Sequence, residues 1–158
     1  MKPCPHKIED VLPHAHPMIL LDEITGYGEQ SIQTRVTVRL ASQFYRPDRG
    51  IPAHISLEWM AQTCGAYAGV RGREGGEAVR VGLLLGTRDF VASVAWFTDG
   101  QCFDVQATKL FEDGQIGAFD CAVRFAGHSE PVVTARLTVF QPEDASALLA
   151  GQIAEVNR

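Results

Sequence analysis

From Gly50 to Val70 the sequence carries a stretch of helical length that is apolar on every side and holds a single charged residue, Glu58. Pro52 suits a first helical turn, and Ile55, Leu57, Trp59, Met60, Ala61, Cys64, Ala66, Tyr67, Ala68 and Val70 leave no polar face. A helix apolar all round is a buried helix, so the rest of the chain must be built to cover it. Ala61, Gly65 and Gly69 recur every four residues and form a flat stripe that lets a sheet or a second backbone approach closely. A glycine inside a helix costs about 1 kcal/mol against alanine, so two of them at this spacing point to close packing. The pattern predicts one continuous helix from Pro52 to about Arg71.

The flanking segments read as strands. Ile8 to Leu12 is a short amphipathic turn closed by Pro13, and the apolar run Met18 to Leu21 leads into Asp22 and Ile24 as a strand turning near Gly26 to Gly28. Ile32, Thr34, Val36, Val38 and Leu40 then alternate with Gln33, Arg35, Thr37 and Arg39, the period of a strand with one dry face. After the helix, Val81 to Leu85 is an apolar run ending at Gly86. Phe103, Val105 and Ala107 alternate with polar residues up to a hairpin turn at Glu112, Asp113 and Gly114. Phe119, Cys121, Val123 and Phe125 line one face of the return strand, and Val133, Ala135, Leu137 and Val139 that of the last. Two strands, one long helix and about four further strands make an α+β fold and not a doubly wound one, which would alternate the two. The dry strand faces need a common partner, and only the helix is apolar enough, so the antiparallel sheet, of about five to six strands, should curl around it. Residues 1–142 form one domain in this reading, and 143–158 a tail that is a weak helix or a frayed end.

The length of 158 residues suits a single core. With 14 basic against 19 acidic side chains and no basic patch, nucleic acid is a poor partner. Arg71, Arg73 and Arg80 are interrupted by Glu74 and Glu77, which suits a solvated loop or a contact for an acidic or phosphorylated ligand arm. No signal peptide and no run of about 20 apolar residues is present, so a cytoplasmic protein without a membrane span is expected. Cys4, Cys64, Cys102 and Cys121 lack metal or disulfide spacing and read as free thiols, with Cys64 and Cys121 buried.

Glu58 is the residue that an apolar helix has no reason to carry, because an unpaired buried carboxylate is costly or stays protonated. It serves as an acid, faces a subunit interface, or pairs with an arginine. His54 lies four residues earlier, within reach of the same ligand on an α-helix. The positive end of the helix dipole favours neutral imidazole there, as a base requires; capping or packing is the alternative. His14 and His16 form a His-x-His pair with no further ligand nearby in sequence, so no metal site is expected. Ser56 lacks the context of a hydrolase nucleophile elbow.

Leu12-Pro13-His14-Ala15-His16-Pro17, the apolar run after it and Asp22 resemble the opening of hotdog-fold 3-hydroxyacyl-acyl carrier protein dehydratases, and Glu58-Trp59-Met60-Ala61-Gln62 resembles their central-helix signature. Gly82 to Arg88 and Ala135 to Pro142 further resemble a divergent branch found with aryl polyene pigment synthesis. The resemblance covers about Ile8 to Phe140. It implies a hotdog fold whose curved antiparallel sheet wraps one long central helix, with two protomers joined edge to edge and a tunnel at their interface. The acyl chain enters on the phosphopantetheine arm of acyl carrier protein, and neither cofactor nor metal is required. The family's catalytic glutamate maps onto Glu58, but its histidine, fourteen residues earlier, is replaced by Phe44. Either His54 has taken the base role, or the chain is a catalytically weak partner in a hetero-oligomer with a competent, related hotdog subunit.

The expected reaction is loss of water from a 3-hydroxyacyl thioester to give a trans-2-enoyl thioester. The expected roles are His54 as base, Glu58 as acid and Gln62 as orienter of Glu58 or of the departing water. The helix N-terminus or a loop at Gly86 would polarise the thioester carbonyl, and Phe44 would stand where the tunnel holds substrate. Thioester hydrolysis with Glu58 activating water, and a purely scaffolding subunit, are the alternatives.

Overall fold

Strict alternation becomes strand where expected: Ile32, Thr34 and Val36 are buried and the residues between them are half-buried. In the computed structural model, which describes residues 1–143, the strands are β1 (Glu23–Tyr27), β2 (Ser31–Thr37), β3 (Ile51–Pro52), β4 (Leu83–Ala92), β5 (Trp96–Phe97), β6 (Cys102–Asp113), β7 (Ile116–Phe125) and β8 (Pro131–Phe140). The helices are α1 (Ile8–Val11) and α2 (Ser56–Glu74), the latter entered through a 3-10 turn, Ala53–Ile55. Six strands form one antiparallel sheet in the order β1-β2-β6-β7-β8-β4, and β3 pairs with β5 apart from it. This is the expected α+β arrangement. The expected tail, beyond Glu143, lies outside the described residues.

α2 packs against β2, β6, β7 and β8. Trp59, fully buried, sets its ring 4.7 Å from Phe97 and 5.9 Å from Phe103, and Phe103 continues to Phe125 at 4.7 Å. Removing each such side chain from water contributes about 1.5–3 kcal/mol, so this cluster anchors the first half of the helix. Thr34, a polar residue on the dry face of β2, is satisfied by a 2.8 Å hydrogen bond with Thr63, whose hydroxyl also reaches the Trp59 carbonyl. Cys64 and Cys121 are buried side by side, with Sγ atoms 3.7 Å apart.

The second backbone anticipated by the glycines of α2 is that of α1. A Cβ on Gly69 would overlap the carbonyl oxygen of Val11 and lie 2.9 Å from its Cβ, whereas one on Gly65 would meet only a Leu12 methyl at 3.3 Å. Only glycine at position 69 lets the two helices approach this closely.

Four local expectations need correction. Met18 to Leu21 is not a strand; Gln62 binds its backbone, with Leu20 N donating to Oε1 at 2.9 Å and Nε2 donating to Met18 O at 2.7 Å, and bonding to β2 begins only at Asp22, whose N donates to Arg35 O at 2.8 Å. The second strand stops at Thr37, leaving Leu40 66% exposed. The run from Val81 does not stop at Gly86 but passes through it: among the described residues β4 has only β8 beside it, so an irregular register between Leu84 and Gly86 disturbs no second ladder there. The hairpin after β6 turns one residue later than expected, at Gly114 and Gln115, because Gly114 supplies the positive φ of 61° between paired Asp113 and Ile116.

Gly69→Ala is expected to destabilise the protein by about 1–3 kcal/mol, the usual cost of overpacking, despite alanine's higher helix propensity. Gly65→Ala should be close to neutral. Denaturant unfolding of the two variants checks this, and equal midpoints would contradict the α1–α2 contact.

Candidate functional site

The sheet and α1 do not cover the whole of α2. Glu58, Ala61, Gly65, Ala68 and Gly72, spaced three and four apart and therefore on one face, remain half-buried. They floor a cavity of about 540 Å³ whose other walls include Leu83 and Leu84 of β4 and Phe119 of β7. At 1.5 Å per residue the floor runs roughly 20 Å from Glu58 to Gly72. The helix is thus not buried all round, and Glu58, expected to be buried, has a side chain 38% exposed at one end of this groove. Small residues along the floor leave width for a chain-like ligand.

Around Glu58 the geometry is set by Gln62, one turn further on and almost fully buried. Its amide nitrogen donates to Glu58 Oε1 at 3.1 Å while the same side chain holds the backbone of Met18 and Leu20. That clamp fixes the loop after Pro13 against the helix and brings in His14, whose Nε2 stands 3.9 Å from Glu58 Oε1. His14 Nδ1 is buried and has no hydrogen-bond partner among the described residues. Glu58 Oε2 makes no hydrogen bond among them either, which leaves it open to the groove.

The other expected site residues lie elsewhere. His54 sits in the 3-10 turn, exposed, and is not part of the groove lining. The four-residue spacing to Glu58 presumes α-geometry throughout, and α2 begins only at Ser56. Gly86 is an exposed mid-strand residue, so no loop there presents donors. Phe44 packs partly against the core and lines a separate cavity of about 580 Å³ with His16, Trp59 and Ile51. Of the expected site residues, therefore, Glu58 and Gln62 are brought together. His14 joins them although spacing alone gave no sign of it, since the contact spans 44 residues of sequence through a loop.

Cys64 lines the groove, but burial, reinforced by the hydrogen bond with Cys121, pushes its thiol well above the ordinary range, which makes it a poor nucleophile. The far end carries Arg71, Arg80, Lys109, Glu77 and Glu112. Glu112 accepts from Lys109 at 3.0 Å and raises its pKa, and Arg80 faces Glu77 at 3.4 Å. Among the described residues no cluster of three or more His, Cys, Asp or Glu is placed to hold a metal ion, and no helix is long and apolar enough to cross a membrane.

An antiparallel sheet around one long helix, with an acid on that helix facing a groove, defines a hotdog-fold protein. Residues 6–150 match the model of the ApeP-like family, described as ApeP dehydratase, and the chain belongs to that family. A chain in the dehydratase heterocomplex ApeI:P from Xenorhabdus doucetiae is 30% identical, with a TM-score of 0.86 over 93% of this chain and 98% of that one. More distant structures share the fold. The PaaI protein of the phenylacetic acid degradation operon of E. coli is 12% identical, with a TM-score of 0.57 over 74% of this chain and 80% of that one. A hypothetical thioesterase from Streptococcus pneumoniae TIGR4, solved with coenzyme A, is 12% identical, with a TM-score of 0.59 over 76% and 84%. No curated protein matches the sequence.

Gln62→Leu should leave the Leu20 amide and the Met18 carbonyl without their partner, at an expected cost of about 2–4 kcal/mol. Unfolding midpoints measure the loss, and hydrogen exchange should locate it at the Leu20 amide. A variant as stable as the parent, with that amide still protected, would contradict the clamp.

Proposed function

We propose that the chain dehydrates a 3-hydroxyacyl thioester, carried on the phosphopantetheine arm of acyl carrier protein, to the trans-2-enoyl thioester. The observation that carries this reading is Glu58 at the end of a groove of small residues, with one carboxyl oxygen held by Gln62 and the other open. The acyl chain lies along Ala61, Gly65 and Ala68 with its reacting carbons at Glu58. With His54 outside the groove and Phe44 in place of the family's histidine, the proton work falls to Glu58. Oε2 takes a proton from C2, the C2–H electron pair forms the C2=C3 bond, and the C3–O bond breaks. Glu58 returns the proton to the departing oxygen, which leaves as water, and the carboxylate is regenerated. Removal and return on the same face make this a syn elimination. Aryl polyene, polyketide and fatty acyl chains all fit the reaction, and membership of the ApeP-like family favours the first.

The same reading pairs the chain with a related hotdog subunit. Among the described residues β4 is a sheet edge with no strand on its second side, and it exposes Leu84, Leu85, Phe90 and Val91, the last at 63%. Such an edge calls for a partner. The groove is bounded by that strand, so a subunit added there closes it from water. The heterocomplex of the similar Xenorhabdus chain supports a related subunit as the partner, and a second copy of this chain is the alternative.

The test incubates the chain, alone and with candidate hotdog partners, with 3-hydroxyacyl carrier protein. The enoyl thioester is expected, and Glu58→Gln, which keeps shape and removes the acid, should lower turnover about 10²–10⁴-fold without unfolding the protein. Free acid and thiol would instead establish a thioesterase, and full turnover by Glu58→Gln within an active complex would leave the chain a scaffold.

A further inference from the structure

We infer that His14 is a catalytic hydrogen-bond donor: a neutral imidazole that keeps its proton on Nε2 and gives that hydrogen bond to the oxygen leaving C3. The inference rests on the dehydratase reading and assigns a second residue within its site. His14 would be the obvious candidate for the missing base, given its place beside Glu58, and the environment of its ring argues against that.

Nδ1 is buried with no acceptor or donor against it among the described residues. If Nε2 were the free lone pair of a base, the proton would have to sit on Nδ1 as a buried N–H with nothing to receive it, and orphaned buried donors are rarer than under-satisfied acceptors. Each proton that Nε2 accepted would then produce an imidazolium with that same donor still unpaired and with a charge added. With the proton on Nε2, only a lone pair is left unmatched. Glu58 is the charged group recorded against the ring among the described residues, and it faces Nε2, so it too favours a donor there.

The spacing fits the same role. At 3.9 Å, Nε2 and Glu58 Oε1 are too far apart for a direct hydrogen bond. An oxygen atom about 2.8 Å from each fits between them. The C3 hydroxyl oxygen, placed there, accepts from Nε2 beside the Glu58 carboxyl group, whose Oε2 delivers to it the proton taken from C2. The C3–O bond breaks, water departs, and His14 ends the cycle with the proton it began with. Gln62 makes the arrangement rigid by tying Met18 and Leu20 of the same loop to the helix that carries Glu58.

Two variants separate donor from base. His14→Gln keeps an N–H donor near the position of Nε2, and His14→Phe keeps a ring without one. Loss of a donor aimed at a developing oxygen charge typically costs about 10²–10³-fold, so the Phe variant should lose about that much turnover. The Gln variant should stay within about tenfold of the parent by the same reasoning and retain the parent's pH–rate profile. Equal losses in both, with the acidic limb of the profile abolished, would make His14 a base and overturn the proposal. Nitrogen-15 spectra of the imidazoles, with His14 assigned by its disappearance in His14→Gln, give a readout that does not depend on turnover. In the neutral ring the Nε2–H tautomer is expected, and an Nδ1–H tautomer would overturn the proposal. Should the parent protein form no enoyl product, the dehydratase reading fails by itself, while the nitrogen spectrum still decides the tautomer.

Discussion

α2 has too little polar surface to face water, and the way it is covered determines the rest of the molecule. Strands β2, β6, β7 and β8 take the faces that carry Trp59, Met60, Thr63 and Tyr67, and α1 closes directly onto Gly69. Between half-buried Leu57 and the exposed Arg71, Arg73 and Glu74 of the last turn, what remains is a half-buried line from Glu58 to Gly72. A large apolar residue on that line would expose itself to solvent, and a large polar one would fill the groove. Alanine and glycine do neither, and the line becomes a channel floor with one acid at its end.

Local patterns are legible in the sequence, and contacts between distant segments are not. Period-two alternation is a local property, so the strands carrying Ile32 to Val36, Phe103 to Ala107 and Val133 to Leu137 were readable, as was the long apolar helix. Met18 to Leu21 is not legible in this way, because a short apolar run looks alike as strand or as loop and its backbone partner is a glutamine 42 residues away or more. Gly86 resembled a strand end because the low demands of an edge strand do not show in its own residues. Glu58 stands out in sequence as the one charge in its segment, yet that charge marks the open face of the helix and not a buried position.

The histidines show the limit most clearly. The spacing that points to His54 holds only in an α-helix, and a 3-10 turn before Ser56 puts it outside the groove. His14 had no such rule in its favour. It reaches Glu58 because Gln62, expected only as an orienter of Glu58 or of the departing water, also binds the loop backbone, a contact that no spacing in the sequence reveals. The site is therefore assembled by a structural glutamine, and the acid inherits its position from the same side chain.

In the proposed reaction the half-buried stripe of α2 is the floor along which the acyl chain runs toward Glu58. That path is tested most directly by blocking the floor beyond the acid with Ala68→Phe and measuring turnover across a series of 3-hydroxyacyl thioesters of increasing length. At 1.5 Å per residue, position 68 lies roughly 15 Å along the helix from Glu58. Short chains should be turned over as by the parent protein and long ones rejected, with a sharp limit between them. Uniform loss at every length, or an unchanged profile, would mean that the chain does not lie on this face of the helix.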